Sequence, residues 1–123
     1  MSVSAWIAVG LLGGIAAGAR FLIDFEVSLR ARGPFPLGIL AVNLSGALVL
    51  GLVAGIALHG EALAIVAGGG IGSFTTFSTW ILDSHRLGTA GLARVAWLNI
   101  ALSILAGFAA VALGHSLGTL LRF

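Results

Sequence analysis

Gly68-Gly69-Gly70-Ile71-Gly72-Ser73-Phe74-Thr75-Thr76-Phe77-Ser78-Thr79-Trp80 lies inside a segment that carries no charge from Ala62 to Leu82. An uncharged run of about 20 residues predicts a membrane-spanning helix. The interior of the run contradicts a plain one. Glycines at 68, 69, 70 and 72 each weaken a helix by about 1 kcal/mol relative to alanine. Ser73, Thr75, Thr76, Ser78 and Thr79 then crowd into seven positions between aromatic residues. A single Ser or Thr in a membrane helix bonds back to the carbonyl four residues earlier and carries little information. This density predicts a helix that breaks at membrane depth.

A break has chemical consequences. The freed amides and carbonyls must be satisfied by protein, water or an ion. Freed carbonyls suit a cation, and the start of the second half-helix suits an anion. Phe77 and Trp80 are three apart and share a face of that half. Aromatic edges are electropositive, and Trp80 adds an indole N–H donor. Ring edges of this kind can meet a partly dehydrated anion; simple helix packing is the competing reading.

The rest of the chain is as apolar as this segment. Of 123 residues, 59% are hydrophobic and only 8% charged, with a mean hydropathy of +1.17. Soluble domains carry about 25% charged residues. Three more runs are long enough to span: Val3–Ala19 (extendable past Arg20 to Ile23), Leu37–Leu58 and Val95–Gly114. The expectation is an all-α membrane protein, one domain over residues 1–123, with four transmembrane helices and a broken third. Ala17-Gly18-Ala19 imitates a signal-peptide cleavage site, but the positive leading region is missing and the run continues through Phe21-Leu22-Ile23. The predicted connections are Asp24 to Pro36, His59-Gly60-Glu61, and Asp83 to Arg94. Gly10, Gly14 and Gly18 repeat at helical spacing, as do Gly38 and Gly46, then Gly51 and Gly55. Such stripes let helices approach closely in lipid, within one copy or between copies.

Charge and polar residues narrow the function. Six arginines, no lysine and four acids give a net charge of +2, and scattered arginines make no nucleic-acid surface. Arg20, Arg30, Arg32, Arg86 and Arg94 fall on or near one side and Arg122 on the other, which places both termini outside. There is no cysteine. His59, His85 and His115 lack ligand spacing. All four acids fall in the predicted loops, so neither an enzyme nor a proton-coupled carrier is expected. Asn43, Asn99 and Ser103 are neutral polar groups inside helices, either anion donors or interhelical hydrogen bonds. Arg20 either sets a positive mouth or snorkels to headgroups.

Gly72-Ser73-Phe74-Thr75-Thr76-Phe77-Ser78-Thr79-Trp80 resembles the third-helix signature of the CrcB/Fluc fluoride channels, G-G-x-T-T-F-S-T-F. Gly38-Ile39-Leu40-Ala41-Val42-Asn43-Leu44-Ser45-Gly46 resembles the family's second-helix motif around an asparagine, and Gly18-Ala19-Arg20-Phe21 is similar to the end of its first helix. The resemblance covers the whole chain, and its third-helix motif is the specific part.

The resemblance implies an antiparallel dimer in the cell membrane, with two fluoride pores and a structural sodium ion at its centre. It assigns the sodium to the backbone carbonyls of Gly72 and Thr75. It places Asn43, Phe77, Trp80, Ser78, Thr79, Ser103 and Arg20 along the fluoride pathway, and it implies passive fluoride export and fluoride resistance. Two departures stand out. Trp80 replaces the usual phenylalanine, and the arginine bias leans toward a heterodimer with a homologous subunit rather than a homodimer. The alternatives are a small four-helix multidrug exporter, which would need a membrane carboxylate, and a non-transporting assembly subunit, which would leave the Ser/Thr/Phe cluster without a purpose.

Overall fold

The computed structural model describes residues 1–122. Its elements are helices α1 (Val3–Arg30), α2 (Leu37–Gly55) and α3 (Gly60–Leu63), a π-helix (Ala64–Ile71), and helices α4 (Gly72–Phe74), α5 (Ser78–Thr89) and α6 (Ala93–Leu121). The segment Gly60–Thr89 forms one interrupted span, and with α1, α2 and α6 it makes four spans long and apolar enough to cross a membrane. The outward surface is apolar: Leu105, Phe108 and Leu120 are among many large exposed hydrophobic residues. That is the expected surface for helices solvated by lipid tails.

Two helices outrun their predicted ends. α1 was expected to stop near Ile23 but continues to Arg30. Ser28 Oγ donates to Asp24 Oδ1 at 3.2 Å, and Arg30 pairs with Glu26 at 2.7 Å. Both are i,i+4 pairs, which support a helix in water. Charge ended the membrane span here, not the helix. Gly33, at φ 86°, and Pro34 then turn the chain into α2. In the same way α5 runs through Asp83, His85 and Arg86 to Thr89, leaving a short turn with Gly91 at φ 81°. The placement of all four acids in loops is therefore corrected. Asp24 and Glu26 lie on α1, Asp83 on α5 and Glu61 in α3. Asp83 is half-buried and shares a cavity of about 450 Å³ with Asp24, Ser28 and Arg86 at one end of the bundle.

At the opposite end, Ser2 caps α1 by accepting the Ala5 N–H at 3.1 Å. Its own N–H and hydroxyl donate to the Glu61 carboxylate, which ties the start of α1 to the start of the third span.

α2 and α6 form the most extensive pairing in the fold. Glycines on both helices make it possible. A Cβ on Gly51 would strike the Val111 carbonyl, and one on Gly55 the His115 carbonyl. A Cβ on Gly114 would strike the Leu48 carbonyl, and one on Gly118 would come within 2.8 Å of the Gly55 Cα. The backbones touch because no side chain stands between them. The sequence stripe showed Gly51 and Gly55 but not their partners. The α1 stripe behaves differently: a Cβ added at Gly10, Gly14 or Gly18 would meet no neighbouring element within 4 Å among the described residues. It is Gly13 that packs inward, where an added Cβ would lie 3.0 Å from Ser73 Oγ.

The third span breaks later than its glycines suggest. Gly68, Gly69 and Gly70 lie in the continuous π-helix, and the chain leaves helical geometry only after Phe74. Gly69 is buried, and a Cβ there would lie 2.9 Å from the Val9 carbonyl oxygen. The glycines therefore bring this span against α1, and other residues make the break.

Gly114→Val places a branched side chain against the α2 backbone. It should cost about 3 kcal/mol or more, the upper end of overpacking penalties, and should abolish a monodisperse peak in detergent size-exclusion chromatography. Ala57 holds a left-handed backbone at φ 58° after α2. Ala57→Gly relieves that strain and should gain about 0.5–1 kcal/mol, read as a higher melting temperature in detergent.

Candidate functional site

The break at Thr75–Phe77 is held by Asn43 of the neighbouring helix α2. Thr75 closes α4 normally, with its N–H and its hydroxyl both donating to the Ile71 carbonyl at 3.0 Å. In an unbroken helix the Thr76 N–H would next bond to the Gly72 carbonyl. It donates instead to Asn43 Oδ1 at 2.8 Å, while Asn43 Nδ2 donates to the Thr76 carbonyl, also at 2.8 Å. One side-chain amide thus replaces both helical partners of a single residue.

Thr76 then starts the second half-helix. Its Oγ1 accepts the Thr79 N–H at 3.2 Å, the bond an N-terminal capping residue makes. That N–H would otherwise have taken the Thr75 carbonyl. Both carbonyls of the expected cation site, Gly72 and Thr75, are therefore released by a competing side-chain acceptor. The Thr75 carbonyl accepts one bond from Arg20 Nη1 at 3.3 Å. Arg20 is half-buried and sits at the break rather than at a distant mouth.

On the other side of the break runs an open groove of about 350 Å³ between α2, the third span and α6. Asn43, Thr75, Phe77, Trp80 and Ser103 all line it, with Gly46 and Gly107 leaving room in its walls. Gly46 has a second duty. It is buried, and a Cβ there would collide with the Thr75 methyl group. The Phe77 and Trp80 rings meet edge to face, with centroids 5.4 Å apart and planes at 73°. Phe77 is 71% exposed, so its ring faces out of the chain.

Ser78 and Thr79 stand apart from the groove-lining set. Ser78 is exposed, and Thr79 Oγ1 accepts from Thr76 Oγ1 at 3.1 Å. The structure also adds residues that spacing did not reveal. Thr76 is the hinge of the break. Asn99 and Ser84 are buried behind Trp80, bonded to each other at 2.9 Å. The sequence shows Asn99 as a neutral polar residue inside its helix, but nothing in it pairs Asn99 with Ser84.

The chain is similar to proteins of known family. The family model described as "CrcB-like protein, Camphor Resistance (CrcB)" matches residues 7–115. "Fluoride-specific ion channel FluC 2" of Mycolicibacterium paratuberculosis is 44% identical over 119 residues, covering 97% of this chain and 98% of that protein. "Fluoride-specific ion channel FluC 2" of Mycobacterium tuberculosis is 44% identical over 115 residues, 94% of this chain and 91% of its own length. "Fluoride-specific ion channel FluC 1" of Symbiobacterium thermophilum is 40% identical over 119 residues, 92% of this chain and 96% of its own length.

Asn43→Leu keeps the volume of the side chain and removes the clamp. It strands the Thr76 N–H and C=O, at about 1–3 kcal/mol for each, toward the lower end because both are half-buried. A detergent melting curve should shift down accordingly. An unchanged melt would mean that the break forms without Asn43.

Proposed function

The chain belongs to the CrcB family, and from that premise we propose that it is a fluoride channel through which the ion leaves the cell passively, down its gradient. The observation that carries this reading is the convergence of Asn43, Phe77, Trp80 and Ser103 on one groove beside the helix break. Fluoride entering the groove exchanges water for aromatic ring edges, a hydroxyl and an amide. Asn43 Nδ2 has two protons and spends one on the Thr76 carbonyl, so the second is free to donate. Small neutral donors in a narrow path hold the smallest halide most closely; chloride is too large to approach all of them together. Ser78 and Thr79 extend the hydroxyl-bearing stretch beyond the groove.

We infer that the channel is an antiparallel pair of copies. The open side of the groove and the outward Phe77 ring support a second subunit there, and the unpacked stripe of Gly10, Gly14 and Gly18 on α1 leaves room for a further close helix contact. Pairing two copies would give two grooves and hence two pores. The arginine bias favours a homologous partner subunit over self-pairing. Near the break, the Gly72 and Thr75 carbonyls would hold a sodium ion. Carbonyl oxygens released from a helix are the ligand type such an ion takes, and the bond from Arg20 uses only one of the two lone pairs of the Thr75 oxygen. A bound sodium ion supplies positive charge and locks the two halves of the span. Arg20 shares the first of those duties and orients the Thr75 carbonyl.

The test is halide efflux from liposomes that contain this chain alone, with fluoride and chloride measured side by side. Fast fluoride efflux without chloride efflux is expected if self-pairing suffices. Efflux that appears only after a homologous subunit is added would establish the heterodimer. Equal release of both halides would overturn the channel reading. Trp80→Phe should stay within about threefold of wild type, because the ring edge is kept. Phe77→Ile, which removes an edge, should slow fluoride by about two- to tenfold.

A further inference from the structure

Asn99 is the most deeply buried polar side chain described, 1% exposed, and it lies behind the groove rather than in it. Four hydrogen bonds run through it and Trp80. Ser84 Oγ donates to the Trp80 carbonyl at 2.9 Å, and Asn99 Nδ2 donates to Ser84 Oγ at 2.9 Å. Ser103 Oγ donates to Asn99 Oδ1 at 3.4 Å, and the Trp80 indole N–H donates to the Asn99 carbonyl at 3.4 Å.

The direction of this chain is forced. A carbonyl can only accept, so the single proton of Ser84 is committed to Trp80. Ser84 can therefore only accept from Asn99, which turns the Asn99 NH2 toward Ser84 and its oxygen toward Ser103. Ser103 must then act as the donor. The flipped amide would set its oxygen's lone pairs against those of Ser84, whose proton is on the Trp80 carbonyl.

We propose that Asn99 is a positioning residue that sets the hydroxyl direction of Ser103 and thereby tunes how tightly the groove holds fluoride, a reading that rests on the channel function above. With the groove empty, the Ser103 proton rests on Asn99 and its lone pairs face the groove. An arriving anion must turn that proton round. The bond given up is long at 3.4 Å, hence weak, so the turn is easy but costs some affinity. Fluoride is held loosely enough to leave, which conduction requires. The same network occupies the indole N–H, so Trp80 offers the groove its carbon edge.

Ser84 supplies the test, because it is buried and does not line the groove. Ser84→Ala removes the group that fixes the amide. Asn99 can then turn its NH2 to Ser103, whose proton is released to the groove. The fluoride concentration for half-maximal conductance should fall by about two- to tenfold, the range of one neutral hydrogen bond. The fall should vanish in a Ser103→Ala background, and Ser84→Thr, which restores a hydroxyl, should behave as wild type. A structural defect alone would act equally in both backgrounds. If Ser84→Ala does not fold, Asn99→Leu serves the same purpose, since it removes the acceptor of the Ser103 proton. Equal effects with and without the Ser103 hydroxyl, or no effect at all while the wild type conducts fluoride, overturn this proposal alone. A wild type that carries no fluoride overturns it together with the channel reading.

Discussion

A two-point amide clamp, Asn43 on the backbone of Thr76, is the interaction on which the rest of the site depends. Inside lipid a helix cannot simply open, because each stranded backbone group costs several kcal/mol. Asn43 makes the opening affordable by supplying both missing partners from a neighbouring helix. Once Thr76 is held, its hydroxyl caps α5 and its amide no longer reaches Gly72. Two carbonyls are released on one side of the break, and two aromatic rings are presented on the other. A single amide thus decides where the freed carbonyls and the two rings lie together.

The clamp has to be delivered at the correct height and distance, and glycine does that. α2 is locked to α6 by Gly51, Gly55, Gly114 and Gly118, with backbone against backbone. The π-helix is locked to α1 through Gly69 and Gly13, and Gly46 lets Thr75 lie directly against α2. Since apolar burial drives no association between helices in lipid, close packing of this kind is the main source of positional accuracy. The large side chains are left to face outward.

Much of this was legible in advance. The four spans and the interruption of the third follow from residue type and spacing, whereas the grouping of Asn43, Phe77, Trp80 and Ser103 was implied only by the family resemblance. The ends of α1 and α5 were misplaced because Asp24, Glu26 and Asp83 were read as leaving the helix when they leave only the membrane core. Glycine propensity alone would put the break earlier, among Gly68, Gly69 and Gly70. Propensity is worth about 1 kcal/mol per glycine, and continuous π-helical bonding with close packing on α1 outweighs it.

The sequence by itself determined which groups are present: a charge-free third span with hydroxyls, rings and glycines at its centre, and neutral donors on the helices that flank it. Those are properties of hydrophobicity and local spacing, which a chain carries wherever it goes. Only the tertiary structure decided what each group is bonded to. That Asn43 serves the backbone of Thr76, that Arg20 reaches the Thr75 carbonyl, and that Ser84 dictates through Asn99 which way Ser103 points are all contacts between residues 15 to 55 positions apart or links built on them. A hydrogen bond is directional and falls off within a few tenths of an ångström, so its partner is settled only when the helices have docked.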